Sequence, residues 1–164
     1  MSSYLTMELE REGPAKRVAG ERGSGDLFFA NHLPYCFDPV HAAAQRLGIA
    51  SIFEFAKGLD ETRVQAEIAV YGKPMEEIDG SEAVLPSEET EAAVSRIYYS
   101  TGPWFDPAEG LRTGNAMIAH FRGNPSELAD CPNGDGVVRD LEALVNALQE
   151  AQRRGRRFRI NYSS

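Results

Sequence analysis

The sequence has few of the residues that staple, span or cradle. Two cysteines in 164 residues are too few for the disulfide framework of a small secreted domain, and a chain this long buries enough surface to fold without one. Two reduced thiols are therefore expected, with a single long-range Cys36–Cys131 bridge as the alternative. No apolar run approaches the roughly 18 residues that span a bilayer, and residues 1–8 lack the basic start and apolar stretch of a signal peptide, so a cytoplasmic protein without a membrane partner is expected. There is no Gly-x-Gly-x-x-Gly, no phosphate-binding loop ending in Gly-Lys-Ser/Thr, no Cys-x2-Cys and no repeat of fixed period. Nucleotide cofactors thus have no sequence support, and no cofactor is expected. Serine chemistry has none either, since Gly-x-Ser-x-Gly is missing and Gly23-Ser24-Gly25 lies in a loop without the strand-to-helix elbow.

Cations are missing from one stretch altogether. Residues 74–93 hold seven carboxylates and no Lys or Arg, which is nearly all of the chain's net charge of −8. Glu76, Glu77, Asp79, Glu82, Glu88 and Glu89 are candidate contacts for a basic protein partner. The tail is the reverse, with Arg153, Arg154, Arg156, Arg157 and Arg159 and no acid after Glu150. A pI near 4.9 argues against nucleic-acid binding, whose non-specific affinity comes from counterion release by cations. Arg153 and Arg154 sit where a helix C-terminus favours positive charge, and Arg157 and Arg159 are expected on the solvent side of a strand.

What is present patterns into short elements. Leu5, Met7 and Leu9 alternate with polar residues as in a half-buried strand, and Phe158, Ile160 and Tyr162 do the same at the other end. Residues 11–25, with four glycines and a proline, read as a surface loop, and 26–33 as a short apolar strand or buried turn. Asp38-Pro39 marks a helix start for 39–47, and Ser51 with Glu54 a capping box for 52–57. Residues 62–71 fit either period, and the alternation of Val64, Ala66, Ile68 and Val70 favours a strand. Glycines and prolines among acids make 72–87 an exposed connection or insertion. Helices follow at 88–99, capped by Ser87, and at 107–122, capped by Asp106, before the clear apolar stripe of Val137, Val138, Leu141, Leu144, Val145 and Leu148. The simplest packing is a single α+β domain over 1–164: a small, mostly antiparallel sheet including both chain termini, covered by four to five helices. Trp104 is expected to be buried just ahead of the 107–122 helix.

The densest polar constellation is 31–41, with His32, Cys36, Asp38 and His41; His120 can join from a later helix. Converging, these residues supply the three or four ligands of a zinc site and hence a metal-assisted hydrolase, or a Cys36 thiolate with a histidine base. The His-x3-Cys-x4-His spacing matches no common zinc signature, so polar loop residues around a buried thiol are favoured. Asn133, Asp135, Gly136 and Glu142 fall at calcium-loop positions, but Cys131 and Arg139 occupy two others, and a tight turn with Asp135 capping a helix is preferred.

The stretch Trp104-Phe105-Asp106-Pro107-Ala108-Glu109-Gly110-Leu111, followed by two helices and a basic strand, resembles short uncharacterised bacterial soluble proteins with Trp-Phe/Tyr-x-Pro-x-x-Gly-Leu. The resemblance spans roughly 100–162 and implies a bacterial cytoplasmic setting without implying an activity. With no catalytic motif and one acidic stretch, a small non-enzymatic protein-binding protein of the immunity, antitoxin or regulatory kind is the leading expectation. The hydrolase is the alternative.

Overall fold

Alternating apolar residues build the sheet as the sequence predicts. In the computed structural model, which describes residues 2–12 and 27–163, β1 (Tyr4–Leu9) turns Leu5, Met7 and Leu9 into the core. It lies between β2 (Phe29–Ala30) and β3 (Phe158–Ser163), antiparallel to both, in the order β2-β1-β3. Leu9 faces Phe158 and Met7 faces Ile160, so one side of the ladder is continuous hydrocarbon, while Glu8 faces Arg159 on the other. Both chain ends are thus tied into one sheet. The loop expected over 11–25 lies outside the described residues, apart from Arg11 and Glu12.

Five α-helices lie among the described residues, giving with the sheet the expected α+β class. A 3₁₀ turn, Leu33–Cys36, runs directly into α1 (Phe37–Leu47). That helix starts two residues before the predicted site, and Asp38 lies in its first turn with no side-chain capping bond. The expected 52–57 helix is a 3₁₀ turn, Ile52–Ala56, which buries Ile52 and Phe55 three residues apart, the period of that tighter coil. Asp106 caps α4 (Pro107–Gly123) by accepting the Ala108 amide at 2.9 Å. The last helix, α5 (Val137–Arg154), begins at Gly136 without a side-chain cap, so Asp135 does not play the expected part.

Two glycines let α4 approach its neighbours. A Cβ on Gly110 would lie 2.7 Å from Phe158 Cζ and 2.8 Å from Leu148 Cδ1, and one on Gly114 2.8 Å from Val145 Cγ2. The Phe105 backbone pairs with Phe158 as an isolated bridge, and its ring stands edge-on to Phe55. Trp104, next to it, is half-buried and not fully enclosed as expected.

Packing divides the chain into two compact units, Met1–Ala56 with Trp104–Ser164, and Lys57–Pro103. The first holds the sheet, α1, α4 and α5 around one apolar core. The second holds two helices, which we number α2 (Leu59–Tyr71) and α3 (Glu88–Ser100) in chain order, joined by a connection with one 3₁₀ turn, Met75–Glu77. Helix α2 corrects the strand expected at 62–71. Its Glu, Gln, Arg and Ala residues favour a helix, left-handed glycines at 58 and 72 bound it, and its buried residues, Leu59, Ala66 and Tyr71, do not alternate. The Tyr71 hydroxyl donates to Thr90 Oγ1 at 3.1 Å near the start of α3, and Arg63 stands over the Tyr98 ring near its end, so the two helices run antiparallel.

Candidate functional site

The polar constellation at 32–41 does not converge. The His32 and Leu33 amides both donate to Asp140 Oδ2, at 2.9 and 3.0 Å, and His32 Nδ1 lies 3.2 Å from Asp140 Oδ1. Asp140 thereby satisfies the free backbone donors at the start of the 3₁₀ turn, the task of a helix cap delivered from 107 residues away. The His32 ring rests on Gly136, where a Cβ would come within 2.3 Å of it. Asp140 was legible in principle: a carboxylate between Val137 and Leu144 on the apolar stripe of α5 is a buried charge in need of partners.

Cys36 is joined to Cys131 in a disulfide with a Cα separation of 5.6 Å, which overturns the expectation of two reduced thiols. The reason is tertiary: the pair is 95 residues apart in sequence, and no local spacing announces such a contact. A fully buried, oxidised Cys36 offers neither a thiolate nucleophile nor a metal ligand. Asp38 is exposed, and the His41 ring stacks on Phe37 with centroids 5.5 Å apart. His120 pairs with Glu127, which also binds Arg46. The Arg46 hydrogen bond, with a weaker one from His120, holds the Glu127 carboxyl below the usual carboxylate range against the opposing effect of burial. Among the described residues, no group of three or more His, Cys, Asp or Glu side chains is placed to hold a metal ion. Glu142, the twelfth position of the calcium-loop reading, pairs with Arg122.

The arginine tail is largely consumed by its own chain. Arg157 makes two 2.8 Å bonds to the Glu10 carboxylate, and its fork holds Glu10 below its ordinary range. Arg154 binds Glu12 and Glu150, Arg153 binds Glu150, and Arg156 Nε lies 3.8 Å from Glu12 Oε2. Arg159 corrects the solvent-side expectation: it is fully buried, bonded to Glu8 at 2.7 Å and covered by the Trp104 ring.

The acids of the second unit are disposed differently. Glu76, Glu77, Asp79, Glu88 and Glu89 are exposed, and only Glu82 is half-buried, bound to Lys73. Ser81 holds the Asp79 carboxyl below its ordinary range through its side chain and its amide. Val84 and Leu85 stand exposed in the same connection, at 39% and 47% of their full surface. Between α2 and α3 a cleft of about 340 Å³ is lined by Arg63, Glu67, Tyr71, Glu91, Tyr98 and Tyr99, among others. Its lining sets carboxylates beside tyrosine rings, Tyr71 and Tyr98 buried and Tyr99 half-buried, with Arg63 already over the Tyr98 ring.

Comparison with family models, curated proteins and solved structures returns no match. The chain's own charge and geometry are what speak to its function.

Proposed function

We propose that the protein is a non-enzymatic binding protein of the immunity, antitoxin or regulatory kind, whose 57–103 unit docks a basic partner protein. One observation carries this reading: the two units differ in charge. Residues 57–103 carry ten acidic and four basic side chains, whereas the remainder carries fifteen and thirteen. In the larger unit, carboxylates such as Glu8, Glu10 and Glu12 are matched to arginines across or beside the β1–β3 ladder. In the smaller one most acids face solvent without such matching. A one-signed surface raises the local concentration of an oppositely charged partner and its association rate, and exposed apolar groups such as Val84 and Leu85 supply short-range contact once it arrives.

The compartment expected from the sequence fits this reading less well than an oxidising one. A reducing cytoplasm keeps thiols free, while the Cys36–Cys131 bridge is of the kind that persists outside it. We place the site of action there.

The test is a quantitative pull-down with the full chain beside a variant carrying Glu76→Gln, Glu77→Gln, Glu88→Gln and Glu89→Gln. A stoichiometric basic protein retained at low salt, released at high salt and absent from the variant's eluate is the expected result. Retention that ignores both salt and the four substitutions would overturn the proposal.

A further inference from the structure

We infer that the cleft between α2 and α3 is a recognition pocket for a single lysine or arginine side chain of that basic partner. The inference rests on the proposed docking role of the 57–103 unit and adds where on it specificity resides. The cleft brings Glu67 of α2 and Glu91 of α3 into one lining with the rings of Tyr71, Tyr98 and Tyr99. Carboxylates attract a cation from either wall, and the negative face of an aromatic ring holds it at close range without demanding a fixed hydrogen-bond geometry.

The molecule already demonstrates the chemistry internally. Arg63 Cζ stands 5.1 Å from the centroid of the Tyr98 ring, so this face accepts a guanidinium within the distance at which the ring quadrupole acts. Arg63 is itself solvent-exposed and lines the cleft, which makes it a local cation that an entering side chain joins or displaces. An anionic ligand is disfavoured, because Arg63 would be its lone cation against Glu67 and Glu91 in a unit with a large acidic excess. An apolar side chain would leave both carboxylates partly desolvated with nothing gained in return.

The edges of the cleft are already fixed, which lowers the ordering needed on binding. The Glu67 carboxylate accepts the Met75 amide at 3.3 Å, and Tyr71 is anchored by its bond to Thr90. Both anchors survive replacement of Glu67 by glutamine, which keeps an acceptor oxygen and removes only the charge.

The experiment measures decalysine binding to the intact protein at low salt by calorimetry, with chemical-shift mapping of the amides. The double variant Glu67→Gln/Glu91→Gln is compared with Glu88→Gln/Glu89→Gln, which removes an equal number of charges from positions outside the cleft; thermal melts verify that both remain folded. The cleft variant is expected to weaken binding by about tenfold and the outer variant by about twofold, because the cleft carboxylates act beside tyrosine rings and the outer ones act through screened charge alone. Shifts should centre on Tyr71, Tyr98 and Tyr99. Equal weakening by the two variants, with shifts spread over the acidic surface, would overturn the pocket while leaving the docking role standing. No binding of decalysine by the unaltered protein would overturn both.

Discussion

Arg159 and Glu8 form a buried ion pair directly across the β1–β3 ladder, Nε to Oε2 at 2.7 Å, with Arg159 fully buried and Glu8 nearly so. Trp104 closes the outer side, its ring centroid 4.1 Å from the guanidinium carbon. Removing one partner takes from the other the charge that faces it across the ladder, in a site largely closed to water. Arg159→Met is therefore expected to lower unfolding free energy by about 3–5 kcal/mol, whereas the double replacement Glu8→Leu/Arg159→Met recovers most of that loss. Urea titrations of the three proteins check this, and a double variant no more stable than the single one would show that the pair is worth keeping for itself.

The Cys36–Cys131 bridge closes a loop of 95 residues that contains the whole 57–103 unit. Constraining so long a loop in the unfolded chain stabilises the native state, and reduction is expected to cost about 2–4 kcal/mol. Thermal melts with and without a phosphine reductant, beside Cys36→Ala/Cys131→Ala, measure it. An unchanged midpoint would mean that the bridge is structurally idle.

Asp140 accepts two backbone amides, those of His32 and Leu33, on one carboxylate oxygen. Asp140→Ala is expected to lose about 3 kcal/mol, since buried donors left unpaired are expensive. His32→Ala leaves both backbone bonds in place and should lose about 1 kcal/mol. Equal losses in chemical denaturation would assign the main role of Asp140 to the imidazole instead of the backbone.

Glu150 sits beneath Arg153 and Arg154, whose hydrogen bonds lower its carboxyl from an ordinary 4.5 to about 2. Because the folded value lies below the unfolded one, its stabilising contribution is complete above pH 4.5 and lost as pH falls through about 2. Carbon-detected NMR titration should show the Glu150 midpoint near 2 and its return towards 4.5 in Arg153→Ala/Arg154→Ala. A midpoint that ignores both substitutions would refute the assigned cause.

Part of this protein is written locally. The strands at 4–9 and 158–163, the apolar stripe of α5 and the Asp106 cap of α4 follow from nearest-neighbour geometry, and the structure realises each element; the alternation expected in the second strand fails at Arg159, which is buried, and at Tyr162, which is exposed. The acidic stretch at 74–93 is equally plain, since charge is counted and not folded. Residues 62–71 show where local pattern fails: both periods fit, and packing against α3 between two left-handed glycines selects the helix. The contacts that no local pattern discloses share one cause. Cys36 with Cys131, His32 with Asp140 and Arg159 with Glu8 are joined over 95, 108 and 151 residues respectively, and a pairwise contact across such distances depends on how the helices and sheet close on one another. The sequence determined which residues were charged, apolar or capping; only the tertiary structure decided which charges were neutralised in the interior and which remained at the surface to meet a partner, because burial is a property of the closed fold and not of any stretch of chain.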